Sequence, residues 1–381
     1  MKQLSLDGKG IVIGRGSLEY LKNIPFQKAM IVTGGQSMKK SGVIDRAVNY
    51  LEENGGKVSV YQGIGKNPST TEIWKGLEIM KAEKPDLVVG IGGGSAIDAA
   101  KAMALFLEYP ELNFDNIDPG NLPQERKNVK FAAVPSTSGT GTEMTQVVVY
   151  TDTEKNIKVA LKTPAYKPDY AILDVDLTLT MPPNIAAETG MDALTHAIEA
   201  YTNPGLDDIT EIFARGAIEG LFKWLPESSS TASVESREKV HYYQAVAGIA
   251  FANVGLGMVH GISHSYGAMY NLGHGIANAI ILPYVMEYNK RDPEAAGKLR
   301  ILSDYLGVKN IIEEAEKLKI KLDVPHSFQE MGLSEADFLR DFDEITDHSM
   351  LGATALNPVK MTRDEMAKMV KAVYYGTAID W

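Results

Sequence analysis

Cysteine is absent from all 381 residues. That excludes a disulfide framework, an iron–sulfur cluster, a thiolate-ligated haem, a Cys-rich zinc module and a cysteine nucleophile. Any metal held by this chain sits on His, Asp and Glu. Basic clusters are missing as well: 38 Lys+Arg face 49 Asp+Glu, a net charge of −11, without the basic stripe that marks a nucleic-acid surface. Long apolar runs are equally scarce. None approaches the roughly 18 residues of a membrane span, and the stretch AIILPYVMEY is broken by Pro283. The opening MKQLSLDGKG has no apolar signal-peptide core. The expectation is a cytoplasmic protein with no nucleic-acid and no membrane partner. What is present is ordinary globular material, 44% hydrophobic and 23% charged, in a length that suits two to three domains at about 150 residues each.

The chain changes character near residue 180. Before it, short apolar runs alternate with helical patterns: AMIVT at 29–33, then IDRAVNYLEENGG; KVSVY at 57–61, then TTEIWKGLEIMKAEK; DLVVGIG, then SAIDAAKAMALFLE; and KFAAVP from 130. Strands alternating with helices of this length predict βαβ units and a parallel sheet. QVVVYTDTEKNIKVALK reads as a hairpin turning near Thr151-Asp152, and YAILDVDLT as a last strand. After Met181-Pro182-Pro183 the pattern is helical, beginning with NIAAETGMDALTHAIEAY, whose predicted N-cap is Asn184 and whose stop is Asn203-Pro204-Gly205. The expected domains are residues 1–180, α/β and Rossmann-like, and residues 181–381, all-α, with an active site in the cleft between them.

Two loops in the first half suit a nucleotide. Gly90-Ile91-Gly92-Gly93-Gly94-Ser95 lies between a strand and a helix, where glycines admit a phosphate to the backbone and the helix N-terminus offers free N–H groups. The spacing is neither the GxGxxG fingerprint nor a P-loop. The plainer reading is a tight turn with Ser95 capping a helix. Pro135-Ser136-Thr137-Ser138-Gly139-Thr140-Gly141-Thr142-Glu143 follows another strand. Such a stretch alone is usually a surface loop, but two of them at parallel-strand ends fit one long ligand.

The second half carries metal-ligand types at helical spacing. Asp192 and His196 are four apart on a predicted helix and share a face. His260 and His264 repeat that spacing, and His274 follows in Asn271-Leu272-Gly273-His274-Gly275. A single buried His is more often a hydrogen-bonded core residue than a ligand, and Asp192 could merely serve a helix dipole. Four or five such residues together suit a divalent metal. His241, His326 and His348 have no comparable partners and read as structural or surface residues.

Taken together, GIGGGSAIDAAK at 90–101, PSTSGTGTE at 135–143, MPPNIAAETGMDALTHAIEAY at 181–201 and HGISHSYGAMYNLGHGIANAIILP at 260–283 resemble the iron-containing (group III) alcohol dehydrogenase family over essentially the whole chain. The resemblance implies an oxidoreductase that passes a hydride between NAD(P)(H) and a small primary alcohol or aldehyde, with the substrate oxygen at a divalent metal. Its metal ligands would be Asp192, His196, His260 and His274, and its catalytic histidine His264, relaying a proton. Gly92, Gly93, Gly94 and Ser95 would hold the pyrophosphate. Ser136, Thr137 and Thr140 would line the ribose and nicotinamide side, with Lys158 at a ribose. Asn67, Asp98 and Leu177 would complete the cofactor site. A homodimer is the family expectation.

Cofactor choice turns on the segment after the strand at 29–33. Many NAD-using relatives carry an Asp there that repels a 2′-phosphate; this chain has Gly34, followed by Gly35, Gln36, Ser37, Met38, Lys39 and Lys40. Backbone amides of Gly34 and Gly35, the Ser37 hydroxyl and the lysines suit the added phosphate. The pattern resembles the NADP-using butanol dehydrogenase branch, so NADP is expected, with NAD as the alternative. Four protein ligands plus substrate favour Fe2+ over Zn2+, which usually keeps three ligands and one open position; Zn2+ is the substitute. Glycerol dehydrogenase-like polyol oxidation and a 3-dehydroquinate synthase-like lyase are the alternatives on the same architecture, and a metal-free nucleotide-binding module is the alternative outside catalysis. A pocket lined from Phe251 and Tyr266 would favour small apolar alcohols.

Overall fold

The structure is a computed structural model that describes residues 4, 6, 8–154 and 157–381. The chain forms two compact units, Met1–Met181 and Pro182–Trp381.

The first unit is built on a six-stranded sheet of β1 (Gly10–Ile13), β2 (Lys28–Thr33), β3 (Lys57–Gln62), β4 (Leu87–Gly92), β5 (Lys130–Pro135) and β8 (Tyr170–Leu173), in the order β1-β8-β5-β4-β2-β3. Every pairing in it is parallel. β6 (Val147–Asp152) and β7 (Ile157–Lys162) form the expected antiparallel hairpin, but Thr151 and Asp152 are still in β6, paired with Lys158 and Ile157, so the turn comes after them. β4 is buried at all its positions, as a central strand covered on both faces must be. Alternation within single strands divides the core in two: Met30, Val32, Val88, Phe131 and Ala133 face one cluster, and Ala29, Ile31, Val89, Ala132 and Val134 the other. Helices α1 (Ser37–Lys40) and α2 (Val43–Glu52) supply Met38, Ile44 and Leu51 to the second cluster. Helices α3 (Thr70–Glu83) and α4 (Gly94–Glu108) supply Leu77 and Met103 to the first. The sheet is therefore doubly wound. From β2 the chain moves outward to β3, and from β4 it moves the other way to β5. The loops after β2 and β4 flank that reversal, the usual ligand position of such sheets. The short strand β1 is not predicted from its four residues.

The second unit is helical: α5 (Pro183–Thr202), α6 (Asp208–Ser229), α7 (Val234–Val254), α8 (Met258–Tyr270), α9 (His274–Asn289), α10 (Pro293–Tyr305), α11 (Ile311–Lys321), α12 (Glu335–Ser349) and α13 (Arg363–Tyr375). Every residue of α5 from Gly190 to Thr202 is buried, so it is a core helix, and Asp192, His196 and Glu199 on it are buried with its apolar residues. Its N-cap is Pro182, with Pro183 in the first turn, which corrects the predicted cap at Asn184. Proline there brings a helical φ and lacks an N–H that would go unpaired anyway. α7 and α8 meet at 103°, across Gly255, whose φ of +89° suits only glycine. Among the described residues no single helix is long and apolar enough to cross a membrane.

Candidate active site

The buried helix α5 carries Asp192 and His196 one turn apart, and Glu199 three residues on. α8 adds His260, and α9 opens on His274 with Gly273 as its N-cap. Asp192 Oδ1 lies 3.7 Å from His196 Nε2, 3.8 Å from His260 Nε2 and 3.7 Å from His274 Nε2. One donor atom from each of the four falls within 4.8 Å of every other. Asp192, His196 and His260 are buried, while the His274 side chain is 29% exposed. Three of the four donors are thus buried, and His274 is the one with solvent exposure.

Each ring is aimed by a different device. His260 Nδ1 meets Glu199 Oε2 at 2.5 Å, which puts a proton on Nδ1 and leaves Nε2 as a lone pair facing the other donors. Glu199 is held in turn by the Val259 N–H at 2.7 Å. His196 is sandwiched, its ring stacked on Phe251 at 4.4 Å and on His260 at 4.7 Å; its buried Nδ1 makes no hydrogen bond. Burial, with His196 and His264 nearby, holds the His260 imidazole well below its ordinary value, so it is neutral and a competent ligand. Burial raises Asp192, and it pushes Glu199 up to about 7. Among the described residues no Lys or Arg pairs with either carboxylate.

His264 stands outside the four-donor group. Its ring stacks on His274 at 5.1 Å and meets His260 edge-on at 5.9 Å, so it sits at the half-open side. Phe251 borders the site through its contact with His196. Tyr266 does not. It is fully buried, stacked on Phe328 at 4.0 Å, and donates its hydroxyl to the Val370 carbonyl at 3.1 Å. Position 266 is six beyond His260, which turns it away from the donors and into the core.

In the first unit the expected cofactor residues gather at carboxyl ends of strands. Gly34, Gly35 and Ser37 follow β2, Asn67 follows β3, Gly92–Ser95 follow β4, and Ser136, Thr137 and Thr140 follow β5. Gly92 has φ +147°. A Cβ on Gly94 would come within 2.7 Å of Thr140 Cγ2, so the two loops touch where only glycine fits. Gly93, not Ser95, is the N-cap of α4, and no side chain caps that end. Its first N–H groups are therefore available to an anion. Lys158 lies on β7 opposite Thr151, and burial lowers its pKa. Leu177 is buried in a core cluster, so only its backbone can face a ligand. Asp98 accepts from Thr142 Oγ1 at 2.5 Å and from the Val149 N–H at 3.0 Å, tying α4 to the loop after β5.

Residues 9–175 match the family model described as iron-containing alcohol dehydrogenase, and residues 186–374 match that of the Fe-containing alcohol dehydrogenase family, C-terminal. The chain belongs to the iron-containing alcohol dehydrogenase family. It is 42% identical to an NADPH-dependent butanol dehydrogenase of Clostridium saccharobutylicum, over 98% of each chain. It is 34% identical to an aldehyde-alcohol dehydrogenase of Streptococcus pneumoniae over 95% of this chain, but spans only 45% of that longer protein. The solved iron-containing alcohol dehydrogenase of Thermococcus thioreducens superposes with a TM-score of 0.91 at 34% identity, covering 99% of this chain and 100% of that one.

For an iron-containing alcohol dehydrogenase the donor set is chemically apt. Three imidazole nitrogens and one carboxylate oxygen suit a borderline divalent ion such as Fe2+ or Zn2+. A buried carboxylate with no cationic partner is the arrangement such an ion completes. The glycine cradle and the uncapped α4 end suit the pyrophosphate of a dinucleotide for the same kind of reason.

Three supporting residues escape the motif reading. Glu199 follows His196 by three on α5, and Asn278 follows His274 by four on α9; both offsets lie on the ligand faces. Lys101, a lone cation in the apolar helix SAIDAAKAMALFLE, is 1% exposed. Its Nζ donates toward Thr142 O and Oγ1, Thr145 O and Oγ1, and Val147 O, at 2.6–3.2 Å.

Proposed function

We propose that this protein is a divalent-metal-dependent, NADP(H)-using alcohol dehydrogenase and aldehyde reductase for small primary alcohols. The observation that carries the reading is the cluster of Asp192, His196, His260 and His274, the first three buried, whose four donor atoms converge with no Lys or Arg paired to them among the described residues. The metal, held by these four, would supply Lewis acidity at the substrate oxygen. Fe2+ is our choice of ion, because a fourth protein ligand crowds zinc's preferred catalytic geometry.

The chain's own residues do the rest. Glu199 keeps the His260 lone pair aimed at the ion. Phe251 presents an apolar ring beside His196, which favours an alkyl chain over a charged or heavily hydroxylated substrate. His264 sits at the half-open side and exchanges the alcohol proton with solvent. In the α/β unit, Gly92, Gly93, Gly94 and Ser95 bind the pyrophosphate at the α4 N-terminus, and Ser136, Thr137, Thr140 and Lys158 bind the sugars. Exposed Gly35, Ser37, Lys39 and Lys40, with no carboxylate at position 34, support NADP over NAD. The printed activity of the Clostridium relative agrees with that choice. A homodimer is supported by β1, an edge strand whose outward Ile11 and Ile13 are 39% and 60% exposed.

Absorbance at 340 nm tests the reading. Butanol with NADP+, or butyraldehyde with NADPH, should give turnover that exceeds the rate with NAD(H), vanishes on chelation and returns with Fe2+. No change with any alcohol or aldehyde, with metal present, would sink the dehydrogenase reading; equal rates with both cofactors would sink the NADP preference. Light scattering at two concentrations checks the dimer.

A further inference from the structure

Asn278 lies one helical turn after His274 on α9 and is 0% exposed. Its amide nitrogen donates to Asp192 Oδ1 at 2.7 Å, and lies 3.1 Å from His260 Nε2 and 3.2 Å from His274 Nε2. Those three atoms belong to three different helices, α5, α8 and α9, and are three of the four donors of the centre. His260 Nε2 is an acceptor here, because Nδ1 of that ring already carries the proton facing Glu199. The other end of the amide is bare: Asn278 Oδ1 is buried and makes no hydrogen bond.

That asymmetry bears on what the side chain is for. A core asparagine that only packs and satisfies itself uses both ends of its amide, since a buried carbonyl without a partner is costly. Here both hydrogens are spent on donor atoms of the centre and the oxygen on nothing. The cluster, and not the surrounding core, dictates the orientation. An amide nitrogen has no lone pair to give, so in this orientation Asn278 is not itself a ligand. It is a neutral donor that three electron-rich atoms share, and it draws together groups that otherwise repel one another.

We propose that Asn278 is a positioning residue of the metal centre: its amide gathers the donor atoms of Asp192, His260 and His274 before the ion enters, and so sets the affinity for divalent metal. The proposal rests on the reading that Asp192, His196, His260 and His274 hold that metal. Once the ion engages the imidazole lone pairs, the bond to Asp192 is the one that persists, because a carboxylate oxygen has a second lone pair. It then steadies the one anionic ligand. Groups that orient ligands in this way typically change metal affinity by about 10–100-fold when removed.

The test uses the full chain stripped with chelator and titrated with Co2+, read by its visible absorption, with Zn2+ as competitor. Wild type should bind one Co2+ per chain, and Asn278→Leu should bind it about 10–100-fold more weakly. Thermal midpoints separate positioning from packing. A packing role lowers the midpoint equally with and without ion; positioning shrinks the rise that the ion confers. Dissociation constants within twofold of each other, or an unchanged ion-induced rise, would overturn the proposal. If the leucine variant does not fold, Asn278→Ser, too short to span the three atoms, replaces it under the same criteria. Failure of the underlying reading looks different: Asp192→Ala would then bind Co2+ as tightly as wild type.

Discussion

Each unit of this protein buries a cluster of charged and polar groups, and the two clusters are finished differently. In the α/β unit, the Lys101 ammonium is surrounded by five oxygens of residues 142–147, and Asp98 spends its carboxylate on Thr142 and Val149. Cation and anion are both supplied by the chain. In the helical unit, Asp192 and Glu199 are buried among three imidazoles, with no Lys or Arg among the described residues paired to either. The first cluster is a fastening that shapes the loop after β5. The second has no cation of its own among the described residues, and that shortfall distinguishes a site from a scaffold.

Breaking the second cluster should have the largest effect. Asp192→Ala removes its one anionic donor to the ion, and kcat/KM should fall by about a thousandfold or more, with bound metal lost by elemental analysis. The fold should survive, because the change removes a buried charge. Metal retained at wild-type stoichiometry would mean that the shortfall is filled another way.

Breaking the first cluster should cost stability instead. Lys101→Met leaves Asp98 and the loop oxygens without their cation, and should lower unfolding free energy by roughly 3–5 kcal/mol while metal content is unchanged. The same lysine predicts a pH dependence. Burial pulls its pKa down to about 8, against the raising influence of Asp98 and Glu143, from an ordinary 10.5. A base lowered in the fold contributes stability that is fully present above the unfolded value and lost as pH falls through the folded one. The stability gap between wild type and Lys101→Met, measured by denaturant at successive pH values, should therefore change between about pH 8 and 10.5 in wild type's favour as pH rises. A flat gap across that window would place the lysine's titration elsewhere.

His264→Ala sharpens the boundary of the second cluster. Since His264 stacks on His274 without joining the four donors, turnover should fall by about a hundredfold with metal content intact. Equal loss of metal would make it a ligand. The smallest effect belongs to Tyr266→Phe. It deletes one buried hydroxyl bond to Val370, should cost about 1 kcal/mol in thermal or denaturant unfolding, and should leave KM for butanol unchanged. A raised KM would return Tyr266 to the pocket.

Much of this is legible in the amino-acid order alone. The i, i+4 spacing of Asp192 and His196 needs only a helix to place both on one face. A glycine run between an apolar strand and a helix needs only the geometry of that turn. Spacing could not separate His260 from His264, both on the same helical face; the offset of α8 against α5 and α9 decides which imidazole reaches Asp192. Nor could it assign Tyr266, because pocket and core are equally apolar on a buried helix.

By itself, then, the amino-acid order determined most of the local elements, the parallel α/β first unit, the helical second unit and the chemical types available for a metal in a chain without cysteine. Those features follow from periodicity, caps and turn residues acting over a few positions. Only the tertiary structure decided that Glu199 aims His260, that Asn278 meets three ligands at once, and that Lys101 fastens a loop more than forty residues away. Hydrogen bonds between distant segments depend on sub-ångström placement of helices, which is set by the packing of the whole core and has no local signature.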